Sequence, residues 1–424
     1  MVLRIATAGS VDDGKSTLIG RLLHDTKTVF EDQLSAVERA SQRYGDGSMN
    51  LALLTDGLRA EREQGITIDV AYRYFATPHR TFVVADTPGH AQYTRNMVTG
   101  ASVSDVAIVL VDARSGLTEQ TRRHLFVASL LGVEHVVLAV NKMDLVDFRR
   151  DAFDAIVAQA TEHAVALPAP VDLIPIPMSA LLGDNVVDRS DNLPWYEGPS
   201  LLDLLETIEV SGQGAFSIGA RLSVQWVIRP HGAEHHDYRG FAGRLTGGQL
   251  AVGDEIVVLP SGLRSRVSGI DRGGEVVDFA NVGESVSVQL VDDLDIGRGD
   301  VIVAAGAETM PVVVDEIVAD VSWMVERPLE VGSRWSIKHQ SRSARAVVTA
   351  IDYRYDVATT AAESASTLAL NDLGRIRVAV TTPLIVDDYH RHRSGGAAIL
   401  VDEATGMTAA ALMFRVPEPG EGSR

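Results

Sequence analysis

A glycine-rich stretch close to the first residue constrains this chain more than any other feature of its sequence. The stretch reads GSVDDGKST and fits the pattern G-x-x-x-x-G-K-[ST], with the fixed positions at Gly9, Gly14, Lys15 and Ser16. The apolar run LRIATA precedes it, and leucine and isoleucine at helical spacing follow it. A strand, a glycine-rich loop and a helix in this order surround phosphate groups with backbone N–H groups at the positive end of the helix. The sequence therefore predicts a phosphate-binding loop.

Each part of this loop has an expected task. Lys15 is expected to neutralise charge on the outer phosphates, and the Ser16 hydroxyl to bind Mg²⁺. Because the loop binds phosphate through backbone amides, the side chains of Asp12 and Asp13 are expected to point away from the nucleotide. A hydrogen bond accepted by the Asp12 carboxylate is expected to brace the loop, with a bound cation as the alternative. The predicted phosphate-binding residues are Gly9, Ser10, Val11, Asp12, Asp13, Gly14, Lys15, Ser16 and Thr17.

A second motif indicates which base is bound. The stretch NKMD follows the apolar run HVVLAV and ends at Asp144. This carboxylate can accept hydrogen bonds from N1–H and the 2-amino group of guanine, donors that adenine lacks, so such a site discriminates by ~10⁴ or more. The stem of Lys142 can cover the base. The stretch MSAL follows the next apolar run, and its backbone can meet guanine O6, although an ordinary loop is an equally good interpretation. The predicted guanine site comprises Asn141, Lys142, Asp144, Ser179, Ala180 and Leu181.

Two further motifs predict the parts that respond to the outermost phosphate. The stretch DTPGH runs from Asp86 to His90. Asp86 is placed to hold Mg²⁺ through water, and the Gly89 N–H can meet the γ-phosphate. His90 is the candidate for positioning the attacking water, although an isolated histidine is more often a packing or surface residue. In the stretch GITI, Thr67 can supply a second Mg²⁺ ligand, the alternative being a plain strand threonine. The predicted metal ligands are Ser16, Thr67 and Asp86.

Hydrophobic patterning divides the chain into an α/β part and a β part. In the first half, β-branched runs alternate with helical patterns, which is typical of a mostly parallel sheet. From Ala220 onward, short alternating runs are separated by glycine and aspartate, which favours antiparallel barrels or sandwiches. We predict an α/β P-loop GTPase domain over residues 1–212, followed by two all-β (β-barrel) domains over 213–308 and 309–417. A disordered tail is expected over 418–424.

Composition excludes several classes of protein. The 424 residues include no cysteine, so disulfides, thiolate catalysis and cysteine-ligated zinc are ruled out. With 57 acidic and 38 basic side chains the net charge is −19, which argues against broad binding to a nucleic-acid backbone. No apolar run approaches the ~18 residues of a membrane span. The first apolar run leads straight into the glycine loop and indicates a strand rather than a signal peptide, so we expect a cytoplasmic protein without a membrane partner.

The motifs occur in the order GSVDDGKS, GITI, DTPGH, NKMD, SAL, and this set resembles the elongation-factor-like family of translational GTPases. The two β domains fit the architecture of that family, so the resemblance covers nearly the whole chain. Within the family the sequence is most similar to the branch of large GTPase subunits of bacterial sulfate adenylyltransferase (ATP sulfurylase). The most discriminating stretch is LNDLGRIRVAVTTPLIVDDYHRHRSGGAAILVDEATGMTAAAL.

The resemblance implies a function as well as a fold. GTP hydrolysis, with Mg²⁺, would drive the synthesis of adenylyl sulfate and diphosphate from ATP and sulfate at a partner small subunit, within a hetero-oligomer. His90 would act on the attacking water, with Lys15 and Thr67 as the other catalytic residues, and Val11 and Ile66 would shield the approach of that water. No nucleic-acid partner is expected. Asp13 departs from the family, which usually carries a small polar residue or histidine there.

Two alternatives share every motif of the nucleotide-binding domain. One is a tRNA-carrying elongation factor, which can be acidic overall and still hold a local RNA site. The other is a GTPase that acts alone in signalling. The resemblance near the C-terminus favours sulfate activation over both.

Overall fold

A computed structural model of the chain describes residues 2–27, 51, 70–88, 94–210, 218–230 and 238–416. These residues fall into two compact units. The first unit is Met1–Glu209 with Asp356–Ala361, and the second is Val210–Tyr355 with Ala362–Arg424. The predicted boundary at 212 and the predicted tail at 418–424 lie outside the described residues.

The first unit is an α/β domain built on a sheet of six strands with the order β2-β3-β1-β4-β5-β6. The strands are β1 (Val2–Gly9), β2 (Ala71–Ala76), β3 (Thr81–Asp86), β4 (Val106–Asp112), β5 (His135–Asn141) and β6 (Asp172–Pro177). The helices are α1 (Lys15–Asp25), α2 (Thr94–Ala101), α3 (Glu119–Leu130), α4 (Arg150–Val165) and α5 (Leu201–Thr207), with a 3₁₀ turn at Met143–Val146. All pairings are parallel except that of β2 with β3. Every residue of β4 is buried, which explains why this strand is a continuous apolar run rather than an alternating one.

The strand register brings the carboxyl ends of the parallel strands to one edge of the sheet. Gly9 of β1 lies opposite Leu110 of β4, and Asp112 at the end of β4 lies opposite Asn141 at the end of β5. Thr7 of β1 is level with Asp86 at the end of β3. In open α/β sheets ligands bind at this edge.

The second unit begins with a closed antiparallel barrel. Six strands form the ring β11-β16-β7-β9-β15-β12, and β12 pairs back with β11. Its strands and the short strands beside them are β7 (Ala220–Ser223), β8 (Trp226–Ile228), β9 (Gly240–Gly247), β10 (Leu250–Ala251), β11 (Glu255–Leu259), β12 (Leu263–Arg272), β13 (Glu275–Val277), β14 (Phe279–Ala280), β15 (Ser285–Leu290) and β16 (Val301–Ala304). Buried Leu222, Phe241 and Ile270 lie in its core.

A second six-stranded ring, β19-β24-β25-β17-β23-β20, closes by the pairing of β20 with β19. Its elements are β17 (Val312–Trp323), β18 (Leu329–Glu330), β19 (Arg334–His339), β20 (Arg342–Tyr355), β21 (Ala362–Glu363), β22 (Thr367–Leu368), β23 (Leu373–Val386), α6 (Arg393–Gly396), β24 (Ala397–Val401) and β25 (Thr408–Arg415). Trp323 and Trp335 meet edge to face in its core, with ring centroids 5.1 Å apart. The predicted fold class, an α/β domain followed by two barrels, is confirmed.

Buried polar contacts join the two barrels. The Arg221 guanidinium is 2% exposed and donates from Nε to both oxygens of Asp387, each at 3.1 Å. His392 Nδ1 lies 2.8 Å from the same carboxylate. Burial opposes ionisation of Asp387, but the contacts with His392 and Arg221 outweigh it and hold the pKa of this carboxyl below its usual range.

Across the described residues, no helix has the length and apolar character needed to cross a membrane.

A buried carboxylate also links three strands of the second barrel. Asp320 of β17 is fully buried and accepts from Arg375 Nε at 2.8 Å and from Arg415 Nε at 2.6 Å. The pKa of Arg375 is raised: burial opposes its charge, but the hydrogen bond and the charge of Asp320 prevail.

We expect Asp320→Ala to lower the free energy of unfolding of the second unit by about 3–5 kcal/mol, because it leaves two guanidinium groups without their buried partner. Asp352→Ala is the matched control, since Asp352 accepts from Arg377 at 3.1 Å and that arginine side chain is 52% exposed. Exposed pairs of this kind contribute less than about 1 kcal/mol. Urea unfolding followed by near-UV circular dichroism measures both variants, and equal losses would contradict this account of Asp320.

Candidate functional site

The phosphate loop lies between β1 and α1, at the carboxyl edge of the sheet. It begins with a tight turn, in which Asp13 N–H donates to the Ser10 carbonyl at 3.2 Å. The Asp13 carboxylate folds back and accepts from Ser10 N–H at 2.7 Å. The bracing carboxylate is therefore that of Asp13, whereas the sequence suggested Asp12. The Asp12 side chain is exposed, and its backbone is left-handed with φ of 66°.

Gly14 is required at the end of this turn for two reasons. Its φ is 93°, a conformation that favours glycine. A Cβ atom at this position would lie 2.4 Å from Asn141 Nδ2, well inside contact distance. The fixed glycine of the loop motif thus gives room to a residue from the predicted guanine motif.

Asn141 joins the phosphate loop to the loop after β6. Its Nδ2 donates to the Asp13 carbonyl at 2.7 Å, and its Oδ1 accepts from Ala180 N–H at 2.9 Å. The side chain is 2% exposed, so both hydrogen bonds are protected from water. The structure therefore brings the two sets of predicted residues into one site.

Lys142 lies on the same side of the site. Its Nζ donates to the Asp12 carbonyl and, at 2.9 Å, to Asp112 Oδ2. Arg114 donates to both oxygens of this carboxylate, from Nη2 to Oδ2 at 2.6 Å and from Nε to Oδ1 at 3.1 Å. Burial raises the pKa of Asp112, but the hydrogen bonds from Arg114 and Lys142 outweigh that effect and hold the pKa well below its usual range. The Asp12 carbonyl and the Asp112 carboxylate thus fix the position of the Lys142 ammonium.

Asp144 has a buried oxygen that fits a base. Its Oδ1 is buried and has no hydrogen-bond partner in the described part of the chain. A buried acceptor without a donor is costly, and the N1–H and 2-amino donors of guanine are of the kind that would satisfy it. Ser179 and Ala180, which follow β6, are buried, and Leu181 is 55% exposed. Arg21 of α1 donates to the carbonyl of Ala180 at 3.2 Å and to that of Leu181, so α1 supports this loop.

Lys15 and Asp86 form an ion pair at the centre of the site, with Nζ and Oδ1 2.7 Å apart. Their side chains are 8% and 4% exposed. Ser16 follows Lys15 at the start of α1. A hydroxyl and a carboxylate are oxygen donors that suit Mg²⁺, which also takes oxygens from substrate phosphates. The described residues contain no cluster of three or more histidine or acidic side chains that could hold a metal by itself.

Four predicted residues lie outside the described residues: Ile66, Thr67, Gly89 and His90. The water-positioning histidine, the second metal ligand and one of the two shielding residues therefore stay predictions. Val11, the other shielding residue, is 43% exposed on the phosphate loop.

The sequence interpretation missed several residues of the site. Asp112 ends the buried strand β4 beside β1, and the rule that ligands bind at the carboxyl ends of parallel strands could have indicated it. His124 of α3 is fully buried, and burial followed by the charges of Lys15 and Arg123 lowers its pKa to about 3. This histidine is neutral at physiological pH, and nothing in the sequence distinguishes it from an ordinary packing residue.

Two known families match parts of the chain. The family described as "Elongation factor Tu GTP binding domain" matches residues 1–212. The family described as "GTP-eEF1A C-terminal domain-like" matches residues 316–415.

Curated relatives match almost the full chain. A protein of Mycobacterium tuberculosis (strain CDC 1551 / Oshkosh) named "Bifunctional enzyme CysN/CysC" is 53% identical over 99% of this chain and 69% of its own length. "Sulfate adenylyltransferase subunit 1" of Laribacter hongkongensis (strain HLHK9) is 48% identical over 99% of this chain and 86% of its own length. The protein of the same name from Bacteroides fragilis (strain YCH46) is 48% identical over 97% of this chain and 86% of its own length.

We expect Asp144→Asn to reduce the preference for guanine over xanthine nucleotides by at least ~10²-fold, because an amide offers a donor where guanine also presents donors. Asp147→Asn is the matched control, since Asp147 is exposed three positions further on. Displacement of a fluorescent guanine nucleotide by GDP or by xanthosine diphosphate measures the preference. Survival of the wild-type preference in Asp144→Asn would show that this carboxylate does not read the base.

Proposed function

We propose a function from one premise: this chain belongs to the sulfate adenylyltransferase subunit 1 family. It hydrolyses GTP, and hydrolysis drives the transfer of the adenylyl group of ATP to sulfate at a partner small subunit, which releases diphosphate. The observation that carries the proposal is 47–53% identity to curated relatives over at least 97% of the chain, barrels included.

The nucleotide would be held by the residues that meet at the carboxyl edge of the sheet. Backbone amides of the phosphate loop and Lys15 would bind the phosphates, and Asp144 would bind guanine under the stem of Lys142. The unpartnered Asp144 oxygen supports the guanine assignment, and the Asn141 bridge supports a single site for base and phosphates.

Ser16 would bind Mg²⁺ directly and Asp86 would hold it through water, with Thr67 as a further ligand. A bound Mg²⁺ would neutralise charge on the β- and γ-phosphates. Lys15 compensates the buried Asp86 carboxylate at 2.7 Å, so these two charges balance each other within the protein. The β- and γ-phosphates of GTP would compete with Asp86 for this ammonium group.

His90 would orient the water that attacks the γ-phosphorus, with Val11 and Ile66 excluding other waters. Segments around Thr67 and Gly89 would respond to loss of the γ-phosphate, and this response would be the step that couples hydrolysis to the partner subunit. Because the predicted base contacts select guanine, ATP would be bound by that partner.

A tRNA-carrying elongation factor is the competing proposal. It shares the GTP-binding domain, so the match of residues 1–212 does not separate the two. The similarity to sulfate adenylyltransferase subunit 1 extends through the barrels, and this extent favours sulfate activation.

Reconstitution of the full chain with the small subunit that copurifies with it tests the proposal. With ATP, sulfate and Mg²⁺ present, we expect adenylyl sulfate to accumulate with GTP well beyond its level without GTP, together with release of phosphate. Phosphate release without any effect of GTP on adenylyl sulfate would overturn the proposed coupling. Tight, GTP-dependent binding of aminoacyl-tRNA would instead support the elongation-factor alternative.

His90→Ala separates hydrolysis from binding in the same assay. We expect hydrolysis to fall by ~10²–10⁴ while GTP affinity is retained, which is the effect of removing a positioned acid–base group. His79→Ala is the control, because His79 is an exposed histidine between β2 and β3. Unchanged turnover in His90→Ala would remove this residue from the mechanism.

A further inference from the structure

Two adjacent carboxylates in the phosphate loop have opposite environments. The Asp12 side chain is exposed to water, whereas Asp13 is 5% exposed and lies inside the turn of the loop. Its Oδ2 accepts from Ser10 N–H at 2.7 Å. The two residues are chemically identical, so any difference in their effect on a bound nucleotide comes from their position in the loop, their burial and their hydrogen bonding.

The charge of Asp13 is only partly compensated. The titratable groups that act on it are the Asp112 carboxylate, which repels it, and the Lys142 ammonium, which attracts it. Lys142 already donates to Asp112 at 2.9 Å, and Arg114 is paired with that same carboxylate. Within the described residues Asp13 takes part in no direct ion pair. Burial is the largest influence on the pKa of Asp13 and raises it, as expected for a carboxylate that water solvates poorly.

A poorly solvated charge acts strongly on its neighbours. Backbone amides of this loop surround the phosphates of a bound nucleotide, so the Asp13 carboxylate lies in the same turn as two or three further negative charges. Like charges separated by several ångströms in a low-dielectric surrounding repel by an amount that changes affinity ~10-fold or more. The exposed Asp12 carboxylate is screened by water and salt.

We propose that Asp13 sets the lifetime of bound GDP: its hydrogen bond to Ser10 holds the loop in shape, while its buried charge weakens phosphate binding and speeds GDP release. Asp13 is a positioning residue with an electrostatic effect on affinity, and it does not touch the reacting atoms. The proposal rests on the proposed GTP site and adds that the chain carries its own means of nucleotide exchange.

Asp13→Asn separates the two effects, because an asparagine oxygen still accepts from Ser10 N–H but carries no charge. We expect this variant of the full chain to bind GDP ~10-fold more tightly, mainly through slower dissociation. GMP, which lacks the β-phosphate that the loop surrounds, should change less than ~2-fold. Asp147→Asn is the control, because Asp147 is exposed and lies outside the predicted site, and it should change GDP affinity less than ~2-fold. Displacement of a fluorescent GDP analogue gives both affinity and dissociation rate.

Unchanged or weaker GDP binding by Asp13→Asn, at wild-type melting temperature, would overturn the proposal and leave Asp13 a purely structural brace. Asp13→Ser, which keeps an oxygen acceptor in a smaller side chain, is the second variant should the asparagine protein not fold, and the same expectations apply to it. An equal gain for GMP and GDP would also contradict a charge effect on the β-phosphate. Failure of the wild-type chain itself to bind GDP would count against the proposed function, and is therefore distinguishable from failure of this inference.

Discussion

The side-chain amide of Asn141 is the contact on which the nucleotide site depends. It donates to the carbonyl of Asp13 in the phosphate loop and accepts from Ala180 N–H in the loop after β6. These two loops are far apart in sequence, and the parallel register of β1, β4 and β5 brings them to one edge of the sheet. Gly14 belongs to the same arrangement, because any larger residue there would collide with the Asn141 amide.

Charge balance is the second principle of the site. Lys15 compensates Asp86, and Lys142 together with Arg114 compensates Asp112, so each of these buried carboxylates has a cationic partner. Pairing lowers the cost of keeping ions out of water, and it fixes the positions of the cations. Asp13 departs from this balance.

Features that depend on local sequence patterns could be predicted from the sequence. The strand–loop–helix at residues 2–25, the guanine motif after β5, the parallel sheet and the two barrels all follow from period, turn residues and motif spacing. Contacts between distant strands could not be predicted in this way. The pairing of Lys142 with Asp112 depends on the β4–β5 register, and the burial of Asp320 depends on arginines from β23 and β25. The bracing role falls to Asp13 rather than Asp12, and two adjacent identical residues do not reveal which of them makes the hydrogen bond.

The central claim is that Asn141 makes one site of the phosphate and guanine loops, and the GDP affinity of Asn141→Ala tests it most directly. Asn185→Ala is the matched control, because Asn185 is also buried and also loses two hydrogen bonds, to Pro177 and Ser190, without joining the two loops. Loss of two buried hydrogen bonds that hold the site predicts at least ~30-fold weaker GDP binding by isothermal titration calorimetry for Asn141→Ala. The control should stay within a few fold of wild type. Equal GDP affinity of Asn141→Ala and Asn185→Ala would contradict the claim.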